Sequence, residues 1–118
     1  MNKSFIISYR EDSEDRKYNL KILLNWLSNV QDGFSEIILV EQDSLPKVNW
    51  LEEIKGKEFI KYHFVKNDGV FNLGWGYNIG AKLSESNVLI LDQDIQNLFL
   101  RPDHFSLLFL IYPNIIVL

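Results

Sequence analysis

The sequence of 118 residues contains no cysteine, which excludes disulfide bonds, thiolate metal sites and cysteine nucleophiles, and which agrees with a reducing compartment. It also lacks an excess of positive charge, because twelve Lys and Arg are scattered among sixteen Asp and Glu and the net charge is −4. That balance offers no basic surface for nucleic acid and no polybasic patch for an anionic membrane. We therefore predict no nucleic-acid partner.

Long hydrophobic runs are also missing. Residues 1–4 lead directly into a short apolar segment, so no signal-peptide core is recognised. The most apolar stretch, FSLLFLIYPNIIVL at 105–118, is interrupted by Pro113 and Asn114 and is shorter than the roughly 20 residues of a membrane-spanning helix. We predict a helix, a turn and a strand there, and no transmembrane segment. Since a C-terminus is usually polar, the domain looks truncated, and its exposed apolar end is expected to support a homodimer.

What the sequence does contain is a regular alternation of strand and helix patterns. Apolar segments at 4–8, 37–40, 59–65 and 88–91 predict four strands. Between the first two, apolar residues recur at helical spacing and predict one face of a helix, formed by Leu20, Leu23, Leu24, Leu27 and Val30. Residues 72–84 predict a second helix and 102–110 a further one. The pattern predicts an α/β fold, a single domain over 1–118 with a mostly parallel sheet flanked by helices.

The predicted second helix contains glycines that weaken it. Gly76 and Gly80 share a face with Trp75, Ile79 and Leu83. Each glycine costs roughly 1 kcal/mol relative to alanine in a helix interior. We therefore predict that the helix backbone approaches the sheet or a ligand closely there. Trp75 and Tyr77 could bind sugar by stacking, but the position of Trp75 on the apolar face predicts that it lies in the core.

The most informative segment is VLILDQD at 88–94, an apolar strand that ends on Asp92 and Asp94. Open α/β sheets bind ligands at the carboxyl ends of their strands. Two carboxylates there offer hard oxygen ligands to Mg²⁺ or Mn²⁺, which in turn neutralises a diphosphate. Taken alone, a D-x-D is more often a turn, because Asp is common after strands.

The carboxyl ends of two further predicted strands are polar as well, with Ser8-Tyr9-Arg10 after the first and Glu41-Gln42-Asp43 after the second. These side chains would suit a nucleoside diphosphate. The aromatic ring would lie beside the base and Arg10 beside the phosphates, while the acids would bind the ribose hydroxyls and a metal ion. Neither G-x-G-x-x-G after the first strand nor G-x-x-x-x-G-K-[ST] is present, which argues against a dinucleotide fold and a P-loop NTPase. If Arg10 has no role in ligand binding, it is expected to form an ion pair with Glu11 or Asp12 on the surface.

The segments FIISYR, IILVEQ and FNLGWGYNIGAKLSESNVLILDQD together resemble the N-terminal, donor-binding half of a GT-A fold glycosyltransferase. The likeness is greatest to family 2 and to the β-1,4-galactosyltransferase and chondroitin-polymerase-like group. Three motifs match that group in order and spacing, namely Phe71-Asn72, Asn78-x-Gly80 and Asp92-x-Asp94. The chain departs from it at Ser8, which replaces a proline, and at Leu73 and Asp12, which stand where the galactosyltransferases have arginines.

This resemblance implies a metal-dependent hexosyltransferase that transfers sugar from a UDP-sugar donor to a glycan acceptor. The implied nucleotide-sugar-binding residues are Ser8, Tyr9, Arg10, Glu41, Gln42, Phe71, Asn72, Asp92 and Gln93. Mn²⁺ or Mg²⁺ would be bound by Asp94, with Asp92 beside it. No catalytic residue is assigned, because the general base is expected beyond residue 118, so this chain alone is expected to be inactive. The resemblance also implies a role in bacterial polysaccharide biosynthesis. The expected location is the cytoplasm, and peripheral attachment to the inner face of the membrane is the alternative.

Two alternatives remain. One is a non-catalytic nucleotide-sugar-binding module of the same fold. The other, ranked lower, is a nucleotidyltransferase, which shares carboxylates at strand ends but normally has a glycine-rich loop bearing Lys or Arg after its first strand. Asn72 is also expected to cap the second helix, and His104 to be exposed rather than to bind metal.

Overall fold

The computed structural model describes residues 2–29, 34–48 and 54–91, and the architecture below concerns these residues. Strands and helices follow one another as β1 (Lys3–Tyr9), α1 (Glu14–Asn29), β2 (Glu36–Asp43), β3 (Ile60–Lys66), α2 (Leu73–Leu83) and β4 (Val88–Leu91). The predicted α/β fold is confirmed at this level. The elements predicted at 102–118 lie outside the described residues.

The four strands form one sheet in the order β3-β2-β1-β4, and every neighbouring pair is parallel. The central strand β1 pairs with β2 from Ser4 opposite Glu36 to Tyr9 opposite Glu41. On its other side β1 pairs with β4, and Leu91 lies opposite Ile6. These three strands therefore lie side by side, with their carboxyl ends on one edge.

The sheet has an apolar core on each face, which explains why β1 and β2 are buried along almost their whole length. One core joins α1 to alternate strand residues, among them Phe5, Ile7 and Ile37. The other joins α2 to the intervening residues, among them Ile6 and Ile38. Strands covered on both faces contain continuous apolar runs instead of alternating ones.

Helix α1 begins beside Ser13, whose hydroxyl accepts a hydrogen bond from the Arg16 backbone N–H at 3.2 Å. Glu14 and Asp15 in its first turn favour the positive end of the helix dipole. The predicted apolar face is confirmed for the four leucines, which are buried at Leu20, Leu23, Leu24 and Leu27; Val30 lies outside the described residues. Neither α1 nor α2 is long and apolar enough to cross a membrane.

Helix α2 packs on the opposite face, and Gly76 and Gly80 lie against the sheet as predicted. A Cβ added to Gly80 would overlap the Ile6 Cγ2 atom. The prediction that Trp75 belongs to the core is wrong, because Trp75 is 41% exposed while Tyr77 is 8% exposed. The glycines bring one side of the helix against β1, and Tyr77 lies on that side whereas Trp75 is turned away from it.

Candidate functional site

The carboxyl edge of the sheet contains a reversal of chain direction. From β1 the chain adds β2 and β3 on one side, and α2 then carries it back to β4 on the other side of β1. The helices α1 and α2 pack on opposite faces of the sheet. In open α/β sheets such a reversal leaves a crevice outside the carboxyl ends of the two strands concerned, and ligands bind there. The candidate site is therefore the edge where β1 and β4 end.

Arg10 is the first residue after β1, and its guanidinium group binds three backbone carbonyls. Its Nε donates to the carbonyl of Gln42 at 2.9 Å, and its Nη2 donates to that of Asn67 at 2.9 Å. Its Nη1 donates to the carbonyl of Gly69 at 2.7 Å. The guanidinium carbon also lies 5.7 Å from the centre of the Phe71 ring, within the range of a cation–π contact.

Gln42, at the end of β2, holds the same loop with its fully buried side chain. Its Nε2 donates to the backbone carbonyl of Asn72 at 2.6 Å. Its Oε1 accepts from the Asn72 backbone N–H at 3.3 Å and from the Asn67 side-chain amide at 3.2 Å. Arg10 and Gln42, with the loop residues 67–72 that they hold, are called the edge clamp below.

The edge clamp fixes the point at which α2 begins. Asn72 is the N-cap of α2, and its side-chain oxygen accepts a hydrogen bond from the Trp75 backbone N–H at 2.9 Å. The expectation that Asn72 caps this helix is confirmed. Because both backbone polar groups of Asn72 are also bound to Gln42, the helix N-terminus is tied to the carboxyl end of β2.

Arg10 acts electrostatically on the Asp43 carboxylate at the end of β2: burial opposes the charge of Asp43, but hydrogen bonds from Lys47 and Ser44 and the charges of Lys47 and Arg10 lower its pKa. Among the described residues Arg10 forms no ion pair, and the predicted surface pairing with Glu11 or Asp12 is replaced by the three carbonyl contacts. Asp12 instead pairs with Arg16, with 3.3 Å between Arg16 Nε and Asp12 Oδ1. The guanidinium group is thus fixed in position at the edge, where the Asp43 carboxylate partly offsets its positive charge.

Glu41 is completely buried on the α1 side of β2, and its carboxylate is bound by groups of the protein. The Tyr62 hydroxyl donates to its Oε1 at 2.5 Å, and the backbone N–H groups of Lys47 and Val48 donate at 3.1 and 3.4 Å. Burial raises the pKa of Glu41, and these hydrogen bonds oppose but do not cancel that effect. The side chain thus holds the loop after β2, and no oxygen of it is turned toward the edge surface.

Ser8 and Tyr9 lie at the end of β1, and both are buried. The Tyr9 ring is 5% exposed and belongs to the core beneath α1, so it presents no open face at the edge. Burial, followed by the nearby Glu11 carboxylate, raises the pKa of Tyr9. Ser8 is 2% exposed and lies under α2, and its hydroxyl has no hydrogen-bond partner in the described part of the chain.

The residues predicted to bind the metal lie outside the described residues. These are Asp92 and Asp94; Gln93, which was predicted to bind the nucleotide sugar, lies outside the described residues as well. Within 2–29, 34–48 and 54–91, no three His, Asp or Glu side chains are grouped so that they could hold a metal ion.

Two further residues belong to this edge, Asn67 and Gly69, which lie in an Asn-Asp-Gly segment typical of a turn. Asn67 and Gly69 supply two of the three carbonyls that Arg10 binds, and Asn67 also binds Gln42. The only sequence signal was the Asn-Asp-Gly turn at 67–69, which says nothing about a partner more than fifty residues away.

Comparisons of the chain with protein-family models, with curated proteins and with solved structures find no match.

Proposed function

We propose that this chain binds a nucleoside diphosphate sugar at the carboxyl edge of its sheet, as the donor-binding part of a GT-A type glycosyltransferase. The observation that carries the proposal is the pairing of β4 with β1. Leu91 ends β4 beside β1, and Asp92-Gln93-Asp94 are the next residues of the chain. Arg10 follows β1 at the same edge, so a cation and the two acids come from neighbouring strands.

The edge clamp supports this proposal by supplying a fixed positive charge. Arg10 is held by three carbonyls and forms no ion pair among the described residues, although its charge also acts on the Asp43 carboxylate. A diphosphate bound at the strand reversal would gain from this charge even where the guanidinium does not touch it. Phe71, half-buried beside Arg10, is the aromatic ring that remains at the edge to flank a base.

The divalent cation in this proposal is Mn²⁺ or Mg²⁺, held chiefly by Asp94. Sites of this type use one or two carboxylates and complete their coordination with phosphate oxygens and water. The metal would neutralise the diphosphate, which has no glycine-rich loop to bind it in this sequence. UDP is proposed as the nucleotide on the resemblance alone.

Calorimetric titration with UDP, with and without Mn²⁺, tests the proposal. We expect Mn²⁺ to tighten UDP binding, and Asp94→Asn to weaken the metal-dependent binding by roughly tenfold or more, since one of at most two carboxylate ligands is lost. Glu58→Gln is the matched control, because it removes an exposed carboxylate that precedes β3 at the opposite edge. Equal UDP affinity with and without Mn²⁺ in the parent chain would show that the proposal is wrong.

Release of UDP from several UDP-sugars separates a transferase from a binding module. Metal-dependent release that Asp94→Asn abolishes would support an enzyme. Metal-dependent UDP binding in a chain that never releases UDP from any donor, even with acceptor glycans present, would favour the non-catalytic module.

A further inference from the structure

Three exposed side chains form a short strip on the outer surface of α2. They are the N-cap amide of Asn72, the indole of Trp75 and the amide of Asn78, and they are called the amide–indole strip below. Trp75 and Asn78 are three residues apart in α2 and are therefore neighbours on its surface, and Asn72 precedes them as the N-cap. Trp75 is 41% exposed, whereas the large apolar side chains of the helix core lie against the sheet.

Both neighbours of Trp75 in the sequence are glycines. Gly74 is exposed, and a Cβ added there would meet only the Asn72 Oδ1 atom, at 3.7 Å. Gly76 lies on the buried side of the helix against Ser8. No side chain from either flanking residue therefore covers the ring.

The strip is also held rigidly at its N-terminal end. The Trp75 backbone N–H donates to Asn72 Oδ1 at 2.9 Å, and Asn72 is bound to Gln42 through both of its backbone polar groups. The edge clamp thus fixes the strip relative to the carboxyl end of β2. A surface held in this way loses little conformational entropy when a ligand binds.

The chemistry of the strip fits a neutral sugar ring. One face of a pyranose carries C–H groups of partial positive charge, which match the negative face of an aromatic ring, while its hydroxyl groups lie around the rim. Amides both donate and accept hydrogen bonds and therefore suit hydroxyl groups, which do the same. We propose that the amide–indole strip binds a saccharide.

A sugar fits better than a nucleotide or a protein partner. None of the three side chains is charged, and the Trp75 backbone N–H at the helix N-terminus already donates to Asn72 Oδ1. A single indole with two amides matches the size of one sugar ring and falls far short of the roughly 800 Å² that each partner buries in a stable protein interface. The saccharide would be part of the acceptor glycan, bound beside the donor site. This role rests on the proposed function.

Nuclear magnetic resonance of the indole N–H groups tests the strip directly. The chain has three tryptophans, and the Trp75 signal is identified by its loss in Trp75→Phe. The protein is titrated with methyl β-glucoside, methyl β-galactoside and N-acetylglucosamine, with glycerol as a control for non-specific polyol effects. We expect a saturable shift of the Trp75 signal with at least one saccharide and no comparable shift of the other two indoles.

Variants separate binding from loss of fold. Trp75→Ala is expected to abolish saccharide binding and Trp75→Phe to retain part of it, while the circular dichroism of both stays that of the parent. Asn78→Ala is expected to weaken binding by about two- to tenfold, the effect of one lost neutral hydrogen bond. Asn25→Ala, which removes an exposed amide from α1, is the control and should leave binding unchanged.

The contradicting outcomes are equally specific. The proposal is wrong if no saccharide shifts the Trp75 signal at the highest soluble concentration, or if uridine shifts it more strongly than every saccharide. These titrations contain neither nucleotide diphosphate nor metal. A failure to detect saccharide binding therefore does not affect the test of Mn²⁺-dependent UDP binding. In the same way, a failure to detect UDP binding does not affect the test of saccharide binding.

Discussion

Gly76 of α2 lies directly against Ser8 of β1, so closely that a Cβ at position 76 would overlap the Ser8 hydroxyl oxygen. The same Cβ would lie 2.8 Å from Ser8 Cβ and 2.9 Å from Gln42 Nε2. Gln42 is one of the two residues of the edge clamp that hold the loop at 67–72. The absence of a side chain at position 76 thus lets α2 pack beside the strand end and the clamp at the same time.

Gly76→Ala is expected to destabilise the fold by about 1–3 kcal/mol, because the strain of overpacking outweighs the better helix propensity of alanine. Gly74→Ala is the matched control, two residues earlier in the same helix. The space at Gly74 is open, so alanine should raise stability by up to about 1 kcal/mol. Urea denaturation of both variants measures the difference, and equal effects of the two substitutions would contradict this account of the packing.

Much of this fold could be predicted from the sequence because its strands and helices have strong local signals. The apolar runs at 4–8, 37–40 and 88–91 predicted three buried strands, and the leucine spacing predicted α1. The glycines of α2 predicted a close approach, and Asn72 predicted its cap. Each of these features depends on residues close together in the chain.

The candidate site could be predicted less well because its contacts join distant segments. Strand position correctly brought Arg10 and Gln42 to one edge, but their partners are backbone groups of a loop whose path the sequence does not specify. Glu41 was expected at the edge surface, yet alternation along β2 turns it to the opposite face from Gln42 and into the core. Trp75 was misassigned because a glycine-rich helix has few side chains that identify its buried face.

Tyr62→Phe is expected to destabilise the protein by about 1–3 kcal/mol, because it removes a donor from a fully buried carboxylate. Loss of this hydrogen bond should also raise the pKa of Glu41 further, since the hydroxyl opposes the effect of burial. Tyr18→Phe, at an exposed position on α1, is the control. Thermal unfolding of both variants at neutral pH provides the measurement, and equal midpoints would show that the hydroxyl contributes nothing.

Glu36 at the start of β2 should make stability fall in acid. Burial disfavours its charge, but hydrogen bonds from Lys61 Nζ at 2.7 Å, Ser4 Oγ at 2.6 Å and the Glu85 backbone N–H at 2.9 Å outweigh burial and lower its pKa to about 2. A carboxyl whose pKa is lowered on folding stabilises the protein above its unfolded pKa. This contribution should therefore be complete above about pH 5 and be lost as the pH falls from there toward 2.

Glu36→Gln isolates that contribution. It should cost on the order of 1–3 kcal/mol at pH 7, because hydrogen bonds to a charged group are lost, and the cost should shrink as the pH falls. Glu41, whose pKa is raised, contributes in the opposite sense, but it is present in both proteins and cancels in the comparison. Glu85→Gln is the control, because Glu85 is exposed and 3.8 Å from Lys61. A cost that stays constant between pH 7 and pH 3 would contradict the assignment.

Arg10→Lys tests whether the geometry of the edge clamp, and not charge alone, orders the loop at 67–72. Lysine keeps the positive charge, but its single ammonium group cannot bind three carbonyls in the fixed directions of a guanidinium group. We expect faster amide hydrogen exchange across 67–72 and a loss of stability of about 1–3 kcal/mol, as for other lost hydrogen bonds to a charged group. Arg16→Lys is the control, because Arg16 makes an exposed ion pair with Asp12 whose loss should change stability little. If UDP binds at this edge, Arg10→Lys should weaken its binding together with the loss of loop protection. Unchanged exchange at 67–72 in Arg10→Lys would mean that the three carbonyl contacts do not order the start of α2.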